Sequence, residues 1–467
     1  MRARHYVFLA GAALLLTSCT VGPNYKRPVV NVPATYRGQA ASAGDETKAP
    51  SLADEKWWEV FQDQELQKLI REGLQNSYDV RIAATRILQA QEQFVITRAN
   101  QFPTVNGSAG ITGVRQPSIG SVLPAYRYVA EQLSLAASWS PDFWGRYRRA
   151  TEAARANLLA TEWARRAVLS TLVSNVATAY FQLRELDLEL DIARRTLASR
   201  QQSLQLTQTL EQGGATSMVD VRQAEQLVET AAEIIPDTER QIGQQENQIS
   251  ILIGQNPSDV ARGLGLTEQP LPASVPAGLP SKLLERRPDI RQAEQELVAA
   301  NAEIGVARAQ LFPQISLTGS GGLESFGLQN LFAASNRYWN FAASATQPIF
   351  NAGSLRANVR LAEAQQQQMV LWYQQTIQQA FREVSDALLA YGKYRDYRAH
   401  QERVTAAAQD AANLSEVRYR GGVASYLEVL TNETNYFSAE LNLARARLSE
   451  RVSLVQIYNA LGGGWEQ

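Results

Sequence analysis

Side chains that could carry chemistry are scarce in this chain of 467 residues, and their types exclude most reactions. Histidine occurs twice, as His5 and His400, and cysteine once, as Cys19. Two histidines cannot build a His-based metal cluster, and no Ser–His–acid triad suggests itself. No glycine-rich loop follows a strand to cradle a phosphate. Tyr391, Tyr394, Tyr397 and His400 recur at helical spacing, as packing rows do. No catalytic residue, metal site or cofactor is therefore expected, and the chain does not read as an enzyme. Two acids share a setting that matters more. Asp220 and Glu428 each stand three residues after a serine, Ser217 and Ser425, just past a double glycine, Gly213-Gly214 and Gly421-Gly422. Ser-x-x-acid is a capping box, so each carboxylate closes a helix start and faces its dipole. If several copies met there, the same acids would form rings that select cations and repel one another as they close.

The elements that hold these acids are rods. From Arg146 to Gln212 the chain has neither glycine nor proline. As one helix that stretch spans about 100 Å at about 1.5 Å per residue. Leu169, Val176, Leu183, Leu190, Leu197 and Leu204 fall at every seventh position, with Leu172, Ala179, Leu186 and Ala193 as companions. A heptad held that long is a coiled-coil seam with wet flanks. A second rod, residues 354–420, is interrupted only by Gly392, and its register fails at Arg398 and Thr405. Return helices over 217–253 and 425–461 follow the turns, and Pro236 should kink the first or break one of its hydrogen bonds. The rods belong to two halves, residues 56–254 and 282–467, joined by a Pro- and Gly-rich segment over 255–281. Asp79-Val80-Arg81 recurs as Asp289-Ile290-Arg291, and Phe102-Pro103 as Phe312-Pro313, at an offset of 210. Such recurrence marks an internal repeat.

The first 18 residues read as a signal peptide: a basic start, an apolar run, then small residues. Leu16-Thr17-Ser18-Cys19 resembles a bacterial lipobox, which implies cleavage before Cys19 and lipid on its sulfur. Thr20 after the cysteine, by resemblance to sorted lipoproteins, implies the outer membrane. Residues 19–55 then form a lipidated tether without periodicity. Net charge is −1, which gives no case for nucleic acid.

Strand pairs interrupt both halves, over 104–140 and 314–348. Leu133, Leu135 and Trp139 alternate with polar residues in the first; Ile315, Leu317, Trp339 and Phe341 do so in the second. This alternation is the weak signature of an outer-membrane barrel strand with those residues facing lipid. A soluble sheet with one wet face is the alternative. Four strands cannot close a barrel, so the chain must oligomerise, two copies giving eight strands and three giving twelve. A secreted coiled-coil protein would explain the rods but neither the cysteine string nor the inserted strands.

Several strings carry a resemblance: Val21-Gly22-Pro23-Asn24-Tyr25, Glu285-Arg286-Arg287-Pro288-Asp289-Ile290, Phe312-Pro313-Gln314-Ile315-Ser316-Leu317, Gln347-Pro348-Ile349-Phe350-Asn351-Ala352-Gly353 and Tyr458-Asn459-Ala460-Leu461-Gly462-Gly463-Gly464-Trp465. With Cys19 they resemble the TolC-like outer-membrane factors of tripartite efflux systems, in the NodT-type lipoprotein branch. The resemblance implies a mainly α fold with a small transmembrane β part. It implies a homotrimer whose twelve-stranded β-barrel continues as a twelve-helix periplasmic α-barrel. It also implies a periplasmic adaptor and an inner-membrane RND-type transporter as partners, with drugs or other small toxic compounds as cargo. Metal-ion efflux or type I secretion would use the same fold. In the family, acids matching Asp220 and Glu428 form a constriction, and a tyrosine matching Tyr419 bonds to the residue matching Asp220. The small residues around Gly213, Gly214, Ser217, Gly421, Gly422 and Ser425 would receive the adaptor. Thr431 and Ala424 depart from relatives that carry an acid and a basic residue there.

Overall fold

A computed structural model describes residues 20–38, 51–118, 125–272 and 275–465. The chain is mainly helical. In order it forms α1 (Trp57–Val60), α2 (Gln64–Asn76), α3 (Tyr78–Ala99), β1 (Thr104–Gln116) and β2 (Tyr126–Trp139). There follow α4 (Arg146–Gln212), α5 (Met218–Leu252), α6 (Pro280–Arg286) and α7 (Pro288–Ala309). The chain ends with β3 (Gln314–Ser325), β4 (Arg337–Thr346), α8 (Ser354–Arg420) and α9 (Tyr426–Ala460). Two compact units result. One draws on the chain up to Val29, Ile87–Thr161 and Ala293–Tyr373; the other takes Val30–Arg86, Glu162–Gln292 and the chain from Gln374 onward.

The strand-bearing unit holds one antiparallel sheet in the order β1-β2-β3-β4. Directly opposed residues of an antiparallel pair share a face, so the register sorts the side chains. Leu135 opposes Gly107 and Gly321, Trp139 opposes Leu317, Ile315 opposes Ala345, and Phe341 opposes Gly319. These residues, with Leu133 and Trp339, form one apolar face. The other face carries hydroxyls that bond across strands: Thr104 Oγ1 to Ser138 Oγ and Ser108 Oγ to Ser134 Oγ, each at 2.8 Å. β1 and β4 each keep one edge without a partner in the sheet.

The helical unit has its core along the α4 seam. Leu169, Leu172, Val176, Ala179, Leu183 and Ala193 are buried, joined by Phe61, Leu66, Ile70, Ile249, Ile457 and Tyr458 from other elements. α2 starts where the Asp63 carboxylate accepts from the backbone N–H groups of Glu65 and Leu66. The same carboxylate accepts from Tyr180 (3.0 Å), Leu264 N–H (2.9 Å) and Gln269 (2.6 Å), and so ties the inter-half segment to α4. In α8 the seam is apolar at Ile377 and Val384 and then turns polar. Arg398 takes a seam position because it pairs with the buried Glu450 at 2.5 Å and with Glu402 at 2.8 Å. Thr405 follows by donating to Ala439 O in α9 at 3.1 Å. α5 runs through Pro236 without a break.

Candidate functional site

The hairpin tips are built by the chain's need to reverse after a 67-residue helix. Gly214 and Gly422 take the left-handed conformation, φ +71° and +73°, which only glycine adopts without strain. At the first tip Gly213 N–H bonds Thr209 O and Ala215 N–H bonds Leu210 O; at the second Gly421 and Val423 do the same to Val417 O and Arg418 O. Beyond the turns the two tips diverge. Ser217 caps α5 reciprocally with Asp220: the Ser217 side chain accepts from Asp220 N–H at 3.4 Å, and the carboxylate accepts from Ser217 N–H at 3.1 Å. Thr216 adds a short hydrogen bond to the same carboxylate oxygen. Partial burial pushes the Asp220 carboxyl up, but these bonds outweigh it and hold it below the ordinary aspartate value.

Ser425 makes no side-chain cap, contrary to the capping box expected of it. Glu428 is drawn away by Arg418, whose Nε donates to Oε1 at 3.1 Å. A guanidinium in reach of a carboxylate makes the stronger, charge-assisted bond. The second departure concerns Tyr419. Within the chain it does not reach Asp220: its hydroxyl is buried without a hydrogen-bond partner among the described residues. Its ring lies 5.4 Å from that of Tyr426, in a cluster with Leu204, Ala224, Val429 and Leu430. Burial raises the Tyr426 hydroxyl to about 12.

The sheet face and the N-terminal segment complete the candidate set. Leu133, Leu135, Trp139, Trp339 and Phe341 are exposed, Trp339 to 82%, while Ile315 and Leu317 are half-buried. Cys19 lies outside the described residues, but Thr20 beside it is fixed. Thr20 lies against Gly145, and Val21 N–H bonds Trp144 O at 3.1 Å. Arg149 of α4 donates to Gly22 O (3.3 Å) and Asn24 Oδ1 (2.8 Å). From α7, Asn301 donates to Pro23 O (2.9 Å), and Glu294 accepts from Tyr25 (3.3 Å) and Arg27 (2.7 Å). Gly22 passes so close to Gly305 that a Cβ would stand 2.5 Å from its Cα. Residues 20–27 are thus clamped against α4 and α7. Among the described residues no group of His, Cys, Asp and Glu is arranged to hold a metal, and no helix is long and apolar enough to cross a membrane.

The model of the family described as outer membrane efflux protein matches residues 69–255 and 279–463. The chain belongs to that family. This efflux protein is an outer-membrane channel, the exit duct of a tripartite pump. It is 36% identical over 455 residues to the cation efflux system protein CusC of Escherichia coli O6:H1, covering 97% of this chain and 98% of that one. To the solvent efflux pump outer membrane protein SrpC of Pseudomonas putida it is 38% identical over 457 residues, covering 97% of both. Its structure is similar to that of the open state of the Neisseria gonorrhoeae MtrE outer membrane channel, with TM-score 0.86, 33% identity, and 96% and 99% of the two chains covered.

Proposed function

We propose that three copies of this efflux protein assemble one continuous duct. Three four-stranded sheets join β1 to β4 around a twelve-stranded barrel, and the paired rods of both halves line a twelve-helix tunnel. The observation that carries this reading is the sheet: one apolar exposed face, one hydroxyl-lined face, and two unpaired edges. Open edges in lipid leave backbone groups unsatisfied, so closure by further copies is required. The two family matches, one in each half, support the duplication. Cys19 carries the lipid: the clamp on residues 20–27 fixes the neighbouring chain beside Trp144, just past the end of β2 where strand passes into helix. Transport is passive and needs no catalysis. Asp220, Tyr419 and Glu428 line the closing end, and the glycine tips receive a periplasmic adaptor beneath an RND-type transporter.

Cargo is drugs or other small toxic compounds. The near-equal similarity to a cation efflux protein and a solvent efflux protein supports a duct that does not read its cargo and leaves selection to the transporter. A metal-ion duct is the second reading, favoured by the cation efflux relative. Purified protein should run as a trimer and open stable conductances in planar bilayers. A monomer that never conducts would overturn the duct. Deleting the gene for this protein and scoring drug against metal sensitivity separates the two cargo readings.

A further inference from the structure

We propose that Arg115 and Arg127 form a binding site for a phosphate group of a glycolipid in the outer leaflet; this rests on the barrel reading above. The two residues are directly opposed across β1 and β2. Their register places them on the face that carries Leu133, Leu135 and Trp139, the side turned to lipid. Both are exposed, and neither makes an ion pair among the described residues.

Their height follows from the strands. Thr104 and Trp139 adjoin the helices, so the opposite ends of β1 and β2 are the outer ends. From Thr104 to Arg115 the strand climbs roughly 37 Å at about 3.4 Å per residue, or roughly 28 Å along a barrel axis after a tilt near 40°. An outer-membrane barrel has an apolar band about 25 Å tall. Arg115 and Arg127 therefore emerge just above it, at the level of the headgroups.

Like charges directly opposed on a sheet are destabilising unless something offsets them. Little in the strand regions can. Between Thr104 and Trp139 the one carboxylate is Glu131, four residues further down β2; between Gln314 and Thr346 it is Glu324, which register turns to the other face. The β4 edge that would close against β1 from a neighbouring copy has no acid at all and adds Arg337. An anion must come from outside the protein. Two guanidinium forks separated by one strand spacing match a single phosphate, and the outer leaflet of a bacterial outer membrane is built of phosphorylated glycolipid.

The test is native mass spectrometry on the intact trimer titrated with diphosphorylated lipid A, its dephosphorylated form, and phosphatidylglycerol, alongside bilayer conductance. Arg115→Gln with Arg127→Gln should weaken lipid A binding about 30-fold, roughly fivefold per arginine, with conductance unchanged. Removing the lipid phosphates should weaken the native protein as much. Undiminished binding by a conducting variant overturns the site, and equal affinity for phosphatidylglycerol overturns the glycolipid as its occupant. Should the glutamine variant fail to assemble, Arg115→Lys with Arg127→Lys keeps charge and loses the fork. Binding then falls if the phosphate is held bidentately, and full binding overturns that geometry. A native protein that never conducts refutes the barrel instead, whatever lipid it binds.

Discussion

Asp220 and Glu428 occupy matching places after matching turns, yet one is held by its own backbone and the other by a guanidinium. Arg418 was the residue that sequence reasoning missed. It lies ten positions before Glu428, across the turn, where no local spacing rule connects them. Its removal is expected to free a carboxylate: Arg418→Gln should increase cation selectivity, read as a reversal-potential shift in bilayers under a salt gradient. Asp220→Ala should cost the start of α5 roughly 0.3–1 kcal/mol and raise conductance. Because hydrogen bonds depress the Asp220 carboxyl, its contribution to stability is complete above the ordinary aspartate value near 3.9 and fades as pH falls below it. The opposite sign holds at Glu185 in α4. Burial, with Glu189 beside it, pushes its carboxyl up to about 8. As pH rises from about 4.3 toward 8, the unfolded chain has already released the proton that the folded chain keeps, so stability declines through that window. Glu185→Gln should flatten the decline, giving melting temperatures at pH 5 and pH 8 that no longer differ through this site.

At the scale of elements, the first rod is legible because 67 residues without glycine or proline leave the chain no means of turning, and the second because only Gly392 interrupts it. The strands were legible only as alternation. Nothing in their periodicity said that β2 would pair with β3 and merge the two pairs into one sheet. The α8 seam was legible only in part, since Arg398 and Thr405 find their partners on α9, far along the chain. The N-terminal strings were recognisable, but what they are for was not. Their holders, Arg149, Glu294 and Asn301, are more than a hundred residues away. Gly305→Val should break that clamp, because a Cβ there would stand 2.7 Å from Arg149 Cγ and 2.9 Å from Val21 O. Limited trypsin digestion should then cut after Lys26 faster than in the native protein, where the backbone around that exposed side chain is held by the clamp. At the tips nothing lies within 4 Å of a Cβ on Gly214 or Gly422, so substitution there is governed by backbone conformation alone. Asn is expected to be tolerated and Val to distort the turn, which drug-sensitivity assays on each variant would register.

For the molecule as a whole, the hydroxyl-lined sheet face and the open-edged sheet are the features on which the proposed three-copy duct rests. Cys19→Ser is expected to remove the lipid and shift the protein from the outer-membrane fraction toward the periplasm, with the clamp on residues 20–27 intact. Normal membrane fractionation of an unacylated variant would show that the barrel alone directs its placement.

The clamp also dictates an order of events. Tyr25 and Arg27 meet Glu294, and Pro23 meets Asn301, across 267 to 278 positions of chain. A polypeptide exported amino end first presents its opening residues long before the helix that will receive them has crossed the inner membrane. Under the proposal that Cys19 is acylated, the modifying enzymes would therefore act before this knot is tied, since residues 20–27 cannot be secured until the second half has arrived.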